Sequence, residues 1–225
     1  MNIQQNLSVI QNNISEACKK KNRNPQDVKI IAVTKYVSTE TAQEAVSSGV
    51  EHIGENRQEG LLEKHNALGR DATWHFIGSL QSRKVKEILP YVDYIHSLDR
   101  LSLAKEIEKR ADRTINCFIQ VNVSKEESKH GLPAEDLVSF VDKIKEYPHI
   151  RIVGLMTMAP HTGNEEILRS VFSTLKQLQQ DIQSKQYEHA PCTELSMGMS
   201  NDYEIAVQEG ATFVRIGTSL VGKEF

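Results

Sequence analysis

The sequence of 225 residues has little of what marks secreted, zinc-binding or membrane-spanning proteins. Its three cysteines, Cys18, Cys117 and Cys192, are odd in number and too far apart for a disulfide framework or a zinc site. The longest fully apolar runs, such as residues 30–33, fall far short of the about 20 residues that a membrane span needs. A signal peptide would begin with a charged segment and an apolar stretch, and neither is present in MNIQQNLSVI. We therefore expect a cytoplasmic protein without a membrane segment.

The sequence also lacks a strongly charged segment. It has 27 Lys and Arg against 30 Asp and Glu, a net charge of −3, and its longest run of one sign is Lys19-Lys20-Lys21. Proteins that bind a nucleic-acid backbone are normally basic on at least one face, so we expect no nucleic-acid partner. Apolar residues make up 39% of the chain and charged residues 25%, which indicates a globular protein, and the length suits one domain over residues 1–225.

What the sequence does have is a regular alternation of short β-branched runs with longer helical patterns. An apolar stripe at helical spacing predicts a first helix that ends near Asn24-Pro25. Eight strands are then predicted at residues 29–34, 51–54, 74–77, 93–96, 116–122, 151–156, 193–196 and 212–216. Helices are predicted between them at residues 38–48, 57–68, 82–89, 101–111, 133–147, 165–185 and 200–208.

This alternation predicts an α/β fold with a parallel sheet, because each helix returns the chain to the same end of the sheet. Eight such units within about 200 residues suit a single closed (β/α)8 TIM barrel with an extra N-terminal helix. A doubly wound open sheet usually has about five or six strands, and its Gly-x-Gly-x-x-Gly fingerprint is absent.

The active site of such a barrel lies at the C-terminal ends of the strands, and polar residues and glycines collect there. Lys35 follows the apolar run 30–33 and should lie at the mouth of the barrel. A partly desolvated lysine amine is more often neutral and nucleophilic, which suits a Schiff base with a carbonyl compound. An ion pair between Lys35 and a carboxylate such as Glu55 is an equally good interpretation of its position.

Two glycine-containing turns follow the seventh and eighth predicted strands, where TIM barrels often bind phosphate. Backbone N–H groups at a helix start, together with the Ser200 hydroxyl and the Gly217-Thr218 turn, suit a phosphate group. Ordinary helix capping by Ser200 is the alternative, but the two turns together favour phosphate. Arg215 lies on the last strand and needs a partner if it is buried, either a structural carboxylate or a ligand atom. His75 is a candidate ligand or base, although a histidine on a core strand is more often structural.

A lysine, a phosphate site and an arginine around one barrel mouth are the groups that pyridoxal 5′-phosphate requires. The sequence closely resembles the pyridoxal phosphate homeostasis protein family along nearly its whole length. The matching stretches are AVTK (32–35), GEN (54–56), HFIG (75–78), LQ (80–81), GLM (154–156), SMGMSND (196–202) and VRIGT (214–218). The chain departs from the family pattern at Tyr36 and Arg57, which adjoin the site.

The resemblance implies a role for each candidate residue. It implies that Lys35 forms an aldimine with pyridoxal 5′-phosphate and that Arg215 faces the pyridine nitrogen. It implies further that Ser200, Gly217 and Thr218 hold the phosphate. Residues expected to line the pocket are Asn56, His75 and Met199. The family is related to the barrel of alanine racemase, whose second, β-rich domain helps to form a dimer. Because only eight residues follow Gly217, we expect no such domain here, and hence a monomer.

An aldimine by itself does not make a catalyst, since racemisation needs a base on each face of the substrate. The sequence shows no clear second base near Arg215 or Ser200, and an arginine at the ring nitrogen weakens the ring as an electron sink. We therefore expect a carrier that takes part in intracellular cofactor homeostasis and delivers pyridoxal 5′-phosphate to apoenzymes without turnover. The alternatives are an amino-acid racemase or lyase of narrow specificity and a Schiff-base aldolase without a cofactor.

Overall fold

The computed structural model describes residues 2–124 and 130–225, and its centre is a closed barrel of eight parallel strands. In chain order the strands are β1 (Lys29–Val33), β2 (His52–Glu55), β3 (Thr73–Phe76), β4 (Tyr94–Leu98), β5 (Ile115–Asn122), β6 (Leu132–Pro133), β7 (Ile150–Met156), β8 (Glu194–Met199) and β9 (Phe213–Ile216). The ring closes because β1 pairs with β9 and β4 with β5, while the two-residue β6 only extends the end of β5. The predicted TIM barrel is confirmed.

Helices surround the barrel. They are α1 (Ile3–Lys19), α2 (Thr39–Ser47), α3 (Gln58–Leu68), α4 (Val85–Ile88), α5 (Leu101–Arg110), α6 (Leu137–Ile144), α7 (Glu165–Ser184), α8 (Tyr203–Gln208) and α9 (Thr218–Val221). The extra N-terminal helix is confirmed as α1, which packs against α8 and α9. Within the described residues, no helix combines the length and the apolar character needed to cross a bilayer.

The apolar stripe of α1 explains both why this segment is helical and where it docks. Ile3, Leu7, Ile10 and Ile14 recur at helical spacing and are all buried, and the helix packs against α8 and α9. The Asn2 side chain caps the first turn by accepting a hydrogen bond from the backbone N–H of Gln5, at 2.9 Å.

Near the barrel mouth, one helix prediction was wrong in its start and one short helix was not predicted. The helix predicted at residues 200–208 begins at Tyr203, because residues 200–202 form a turn in which the Asp202 carboxylate accepts a hydrogen bond from Met199 N. Helix α9 was not predicted, since four residues are too few to show a helical period. Both corrections concern the two turns that were assigned to phosphate.

The barrel interior is a packed core that contains polar groups as well as apolar ones. Apolar contacts there come from Ile31, Phe118, Met156 and Phe213, with Tyr94 and Val153 beside them. Alternation along β3 sends Trp74 outward, where its ring lies 5.3 Å from that of His65 in α3, and His75 inward. The interior is therefore filled by side chains, and the mouth cavity lies beyond this packed layer, at the C-terminal ends of the strands.

Candidate functional site

A cavity of about 450 Å³ opens at the C-terminal ends of the barrel strands. Its wall includes every predicted site residue except His75, namely Lys35, Asn56, Met199, Ser200, Arg215, Gly217 and Thr218. These residues come from four separate stretches of the chain, and the closure of the sheet between β1 and β9 brings the first and last of them together.

Lys35 lies just beyond the end of β1 and is partly buried at the cavity wall. Its Nζ is 4.8 Å from the centroid of the Tyr36 ring. Within the part of the chain that the structure describes, no carboxylate lies within 4.0 Å of this amine. The alternative partner, Glu55, is instead bound by Lys64 at 2.8 Å and by the Thr34 hydroxyl at 2.6 Å. The lysine amine therefore faces the cavity without the ion pair that the sequence had left open.

The Glu55 carboxylate joins the ends of β1 and β2 beneath the cavity. Glu55 and Lys64 are both buried, and the Thr34 hydroxyl that donates to Glu55 directly precedes Lys35. Gly78 adds a close contact on the other side, because a Cβ at this position would lie 2.3 Å from the carbonyl oxygen of Asn56. The backbone around Lys35 and Asn56 is thus held by contacts that leave little room for displacement.

The turns after β8 and β9 meet at the opposite side of the cavity. Gly198 has a φ of +91°, which favours glycine, and it leads into the turn that carries Ser200. The backbone N–H of Gly217 donates to the Ser200 hydroxyl at 3.4 Å, which links the two turns. Asp202, and not Ser200, occupies the N-cap position of α8, so the capping interpretation of Ser200 does not hold. In the four-residue α9, Leu220 N and Val221 N donate to the Gly217 carbonyl, so the N–H groups left without an acceptor in the helix are those of Thr218 and Ser219.

Arg215 is buried at the base of the cavity, with 4% of its surface exposed. Its Nη1 donates to Ser196 Oγ at 2.6 Å and its Nη2 to the Thr157 carbonyl at 2.9 Å. No carboxylate of the described residues lies within 4.0 Å, so the structural ion pair considered from sequence is not formed. Burial lowers the pKa of Arg215 to about 10, and Asp202 opposes this effect, so the guanidinium remains charged at neutral pH.

His75 does not line the cavity, contrary to the expectation from the resemblance. It is completely buried deeper in the barrel, where its Nε2 lies 3.0 Å from His52 Nδ1 and its Nδ1 lies 2.8 Å from His96 Nε2. Its ring stacks on that of Tyr94, with the centroids 4.5 Å apart. The physical reason is its place in β3, one residue before the strand ends, which puts it in an inner layer of side chains.

Sequence reasoning missed several residues of the cavity wall. The wall also contains Ile77, Gly78, Ser79, Gln120, Met158 and Asn201, together with Tyr36, which the resemblance had placed beside the site. Most of these lie within two residues of a strand end, which is the signal that could have found them. Met158 and Met199 are each partly exposed and contribute adaptable apolar surface to the mouth.

Known proteins share this sequence and fold over nearly the full chain. The sequence profile described as "Alanine racemase, N-terminal domain" matches residues 5–224. The "Pyridoxal phosphate homeostasis protein" of Aquifex aeolicus is 40% identical over 227 residues, with 99% of each chain covered. A crystal structure of an unknown protein from Bifidobacterium adolescentis has a TM-score of 0.93 and 33% identity, covering 97% of this chain and 94% of that one.

A fourth comparison bears on the ligand. The structure of PipY from Synechococcus elongatus "with PLP bound" has a TM-score of 0.81 and 32% identity, and the match covers 93% of this chain and all of that one. The family profile, the full-length identity and the shared fold agree with one another. The chain therefore belongs to the alanine racemase N-terminal domain family and, within it, to the pyridoxal phosphate homeostasis proteins.

Proposed function

We propose that this protein binds pyridoxal 5′-phosphate at the barrel mouth and delivers it to apoenzymes without turning over a substrate. One observation carries the proposal. The Lys35 amine and the Arg215 guanidinium share one cavity, and neither has a carboxylate partner among the described residues. A buried cation without a counter-charge is costly, which favours a ligand that supplies an acceptor.

The chemistry of the cavity fits the three parts of this cofactor. Lys35 would hold the aldehyde through its amine, in a condensation that releases one water molecule and that hydrolysis or another amine would reverse. The hydroxyls of Ser200 and Thr218 and the N–H groups at the start of α9 suit the phosphate. Arg215 would donate to the pyridine nitrogen, and Asn56 and Met199, which line the same cavity, would hold the ring.

The same residues favour a carrier over a catalyst. An arginine can only donate hydrogen bonds, so it leaves the pyridine nitrogen unprotonated and the ring a weak electron sink. Racemisation also needs acid–base groups on both faces of the substrate. Among the described residues that line the cavity, Lys35 and Tyr36 are the titratable groups besides Arg215, and they lie against each other. Relatives named for homeostasis, and not for a reaction, agree with this proposal.

Borohydride reduction tests the proposed attachment. Protein incubated with pyridoxal 5′-phosphate should show a visible absorption band that disappears on reduction, and peptide mapping should place the added mass on Lys35. Lys35→Ala should abolish the band, whereas Lys223→Ala should retain it. Lys223 is the matched control, because its Nζ lies 5.4 Å from the same Tyr36 ring. Labelling of another lysine, or a band that survives Lys35→Ala, would overturn the assignment.

Transfer and turnover experiments separate a carrier from an enzyme or an aldolase. We expect the loaded protein, a cytoplasmic monomer, to reactivate a pyridoxal-phosphate-dependent apoenzyme. Overnight incubation with each amino acid, followed by chiral analysis, should show no conversion. Any conversion that Lys35→Ala abolishes would instead establish a racemase or lyase. An aldolase without a cofactor would cleave its substrate in protein that shows no visible band.

A further inference from the structure

A continuous chain of hydrogen-bonding side chains crosses the barrel interior from one end to the other. Arg215 Nη1 donates to Ser196 Oγ at 2.6 Å, and Ser196 Oγ lies 2.9 Å from His96 Nδ1. His96 Nε2 is 2.8 Å from His75 Nδ1, and His75 Nε2 is 3.0 Å from His52 Nδ1. These residues are far apart in sequence, and each ring nitrogen inside the chain faces the next member.

The two ends of this chain open on different cavities. Arg215 lines the mouth cavity, whereas His52, the first residue of β2, lines a separate cavity of about 410 Å³ beside α1. His75, His96 and Ser196 between them are buried. Ring stacking fixes the two inner histidines, since His75 lies on Tyr94 and His96 lies on Phe118 with centroids 4.3 Å apart.

Arg215 sets the direction of every hydrogen bond in the chain, because a guanidinium can donate and never accept. Ser196 Oγ therefore accepts from Arg215, and its own hydrogen is available for His96 Nδ1. A neutral His96 that accepts at Nδ1 carries its proton on Nε2 and donates to His75 Nδ1. The same reasoning places the proton of His75 on Nε2, where it is donated to His52 Nδ1.

The opposite direction would leave the Ser196 hydrogen without an acceptor. Ser196 Oγ would then accept from both Arg215 and His96, and the described residues offer no other acceptor to its hydroxyl. A buried hydroxyl hydrogen without a partner is unfavourable. One direction is thus preferred over the whole length of the chain.

Burial, aided by nearby positive charge, keeps the rings neutral. Burial holds the pKa of His75 and His96 well below the usual value, and Arg215 adds to this effect at His96. At His52, burial and Lys29 lower the pKa, while Glu51 and Asp93 oppose them. A neutral histidine can both accept and donate, which the chain of hydrogen bonds requires.

We propose that His52, His75, His96 and Ser196 form a positioning relay in which all three rings carry their proton on Nε2. In this relay Ser196 donates its hydrogen to His96. The Ser196 oxygen therefore remains the acceptor that orients Arg215 toward the cofactor's ring nitrogen. This role rests on the proposed binding of pyridoxal 5′-phosphate. The assignment of the tautomers does not rest on that function, because it follows from the protein's own contacts.

Nitrogen-15 NMR of imidazole-labelled protein without cofactor tests the tautomers directly. We expect three neutral Nε2–H rings with Nδ1 as acceptor, and we expect Arg215→Met to remove this preference at His96. A proton on Nδ1 of His75 or His96, or a charged ring at pH 7.5, would overturn the relay whatever the protein binds. This measurement on the unaltered chain does not depend on a variant that folds.

Cofactor-loaded protein tests the positioning role. His96→Phe removes the acceptor of the Ser196 hydrogen and so leaves the hydroxyl free to turn away from Arg215. It should weaken retention of pyridoxal 5′-phosphate about tenfold, the effect of loosening one hydrogen bond to a charged group, and should shift the pH dependence of the visible band. His65→Phe is the matched control, because this histidine packs on Trp74 outside the barrel. Equal retention and an unchanged pH profile in both variants would refute the positioning role while leaving cofactor binding at Lys35 intact.

Discussion

Replacing Lys64 with Met should leave the buried carboxylate of Glu55 without its counter-charge. The side chains are 5% and 1% exposed, and the Lys64 Nζ and Glu55 Oε1 atoms are 2.8 Å apart. Met fills a similar volume, so that the principal loss is the counter-charge. Removing one partner of a buried ion pair costs about 3–5 kcal/mol, because among the described residues only the Thr34 hydroxyl then stabilises the carboxylate. That is a large part of the about 5–15 kcal/mol by which a folded domain is usually stable.

A double-mutant cycle separates the ion pair from other effects of the substitution. Glu55→Gln combined with Lys64→Met leaves a neutral amide that can still accept from Thr34, so the double variant should recover about 2 kcal/mol or more relative to the sum of the single changes. Free energies of unfolding come from urea titrations followed by far-UV circular dichroism. Fluorescence of Trp74, the only tryptophan, checks for two-state behaviour.

An exposed ion pair supplies the matched control. Lys19 bonds Glu16 at the surface, with both side chains largely exposed, and Lys19→Met should change the stability little. The buried ion pair would not have the expected effect if Lys64→Met lowers the free energy of unfolding no more than Lys19→Met does. The same holds if the double variant loses the full sum of the two single losses in free energy.

Three further measurements follow from buried groups and close contacts. Because burial lowers the pKa of His75 and His96, the unfolded chain binds more protons than the folded one below about pH 6.5. The free energy of unfolding should therefore decrease as the pH is lowered from 7.5 to 5.5, by up to about 1.4 kcal/mol per histidine and pH unit. A free energy that stays constant or increases as the pH is lowered would contradict this. Gly78→Ala should displace the Asn56 carbonyl and cost about 1–3 kcal/mol in urea unfolding, whereas Gly163→Ala, with nothing within 4 Å of the new Cβ, should be neutral. The three cysteines are all buried, so a thiol reagent should modify none of them in native protein and all of them in denaturant, and fast reaction of any one without denaturant would be inconsistent with the core.

Much of the fold could be predicted because it depends on local patterns. The stripe of α1 and the β-branched runs of the eight barrel strands are periodicities within a few residues, and their alternation restricts the topology to very few arrangements. The same local reasoning placed Lys35 and Arg215 at strand ends, and the cavity contains both. It failed for α9, which is too short to show a period, and for the start of α8, where the Asp202 side chain forms a turn.

The amino-acid order by itself determined the barrel, its extra helix and the strand ends that carry Lys35, Ser200 and Arg215, because periodic burial and turn chemistry act over neighbouring residues. Only the tertiary structure decided that Glu55 pairs with Lys64 and that His75 lies below the cavity, in a chain with His52 and His96. Those contacts depend on how far each strand is shifted past its neighbours, and that shift is set by side-chain packing across the closed barrel.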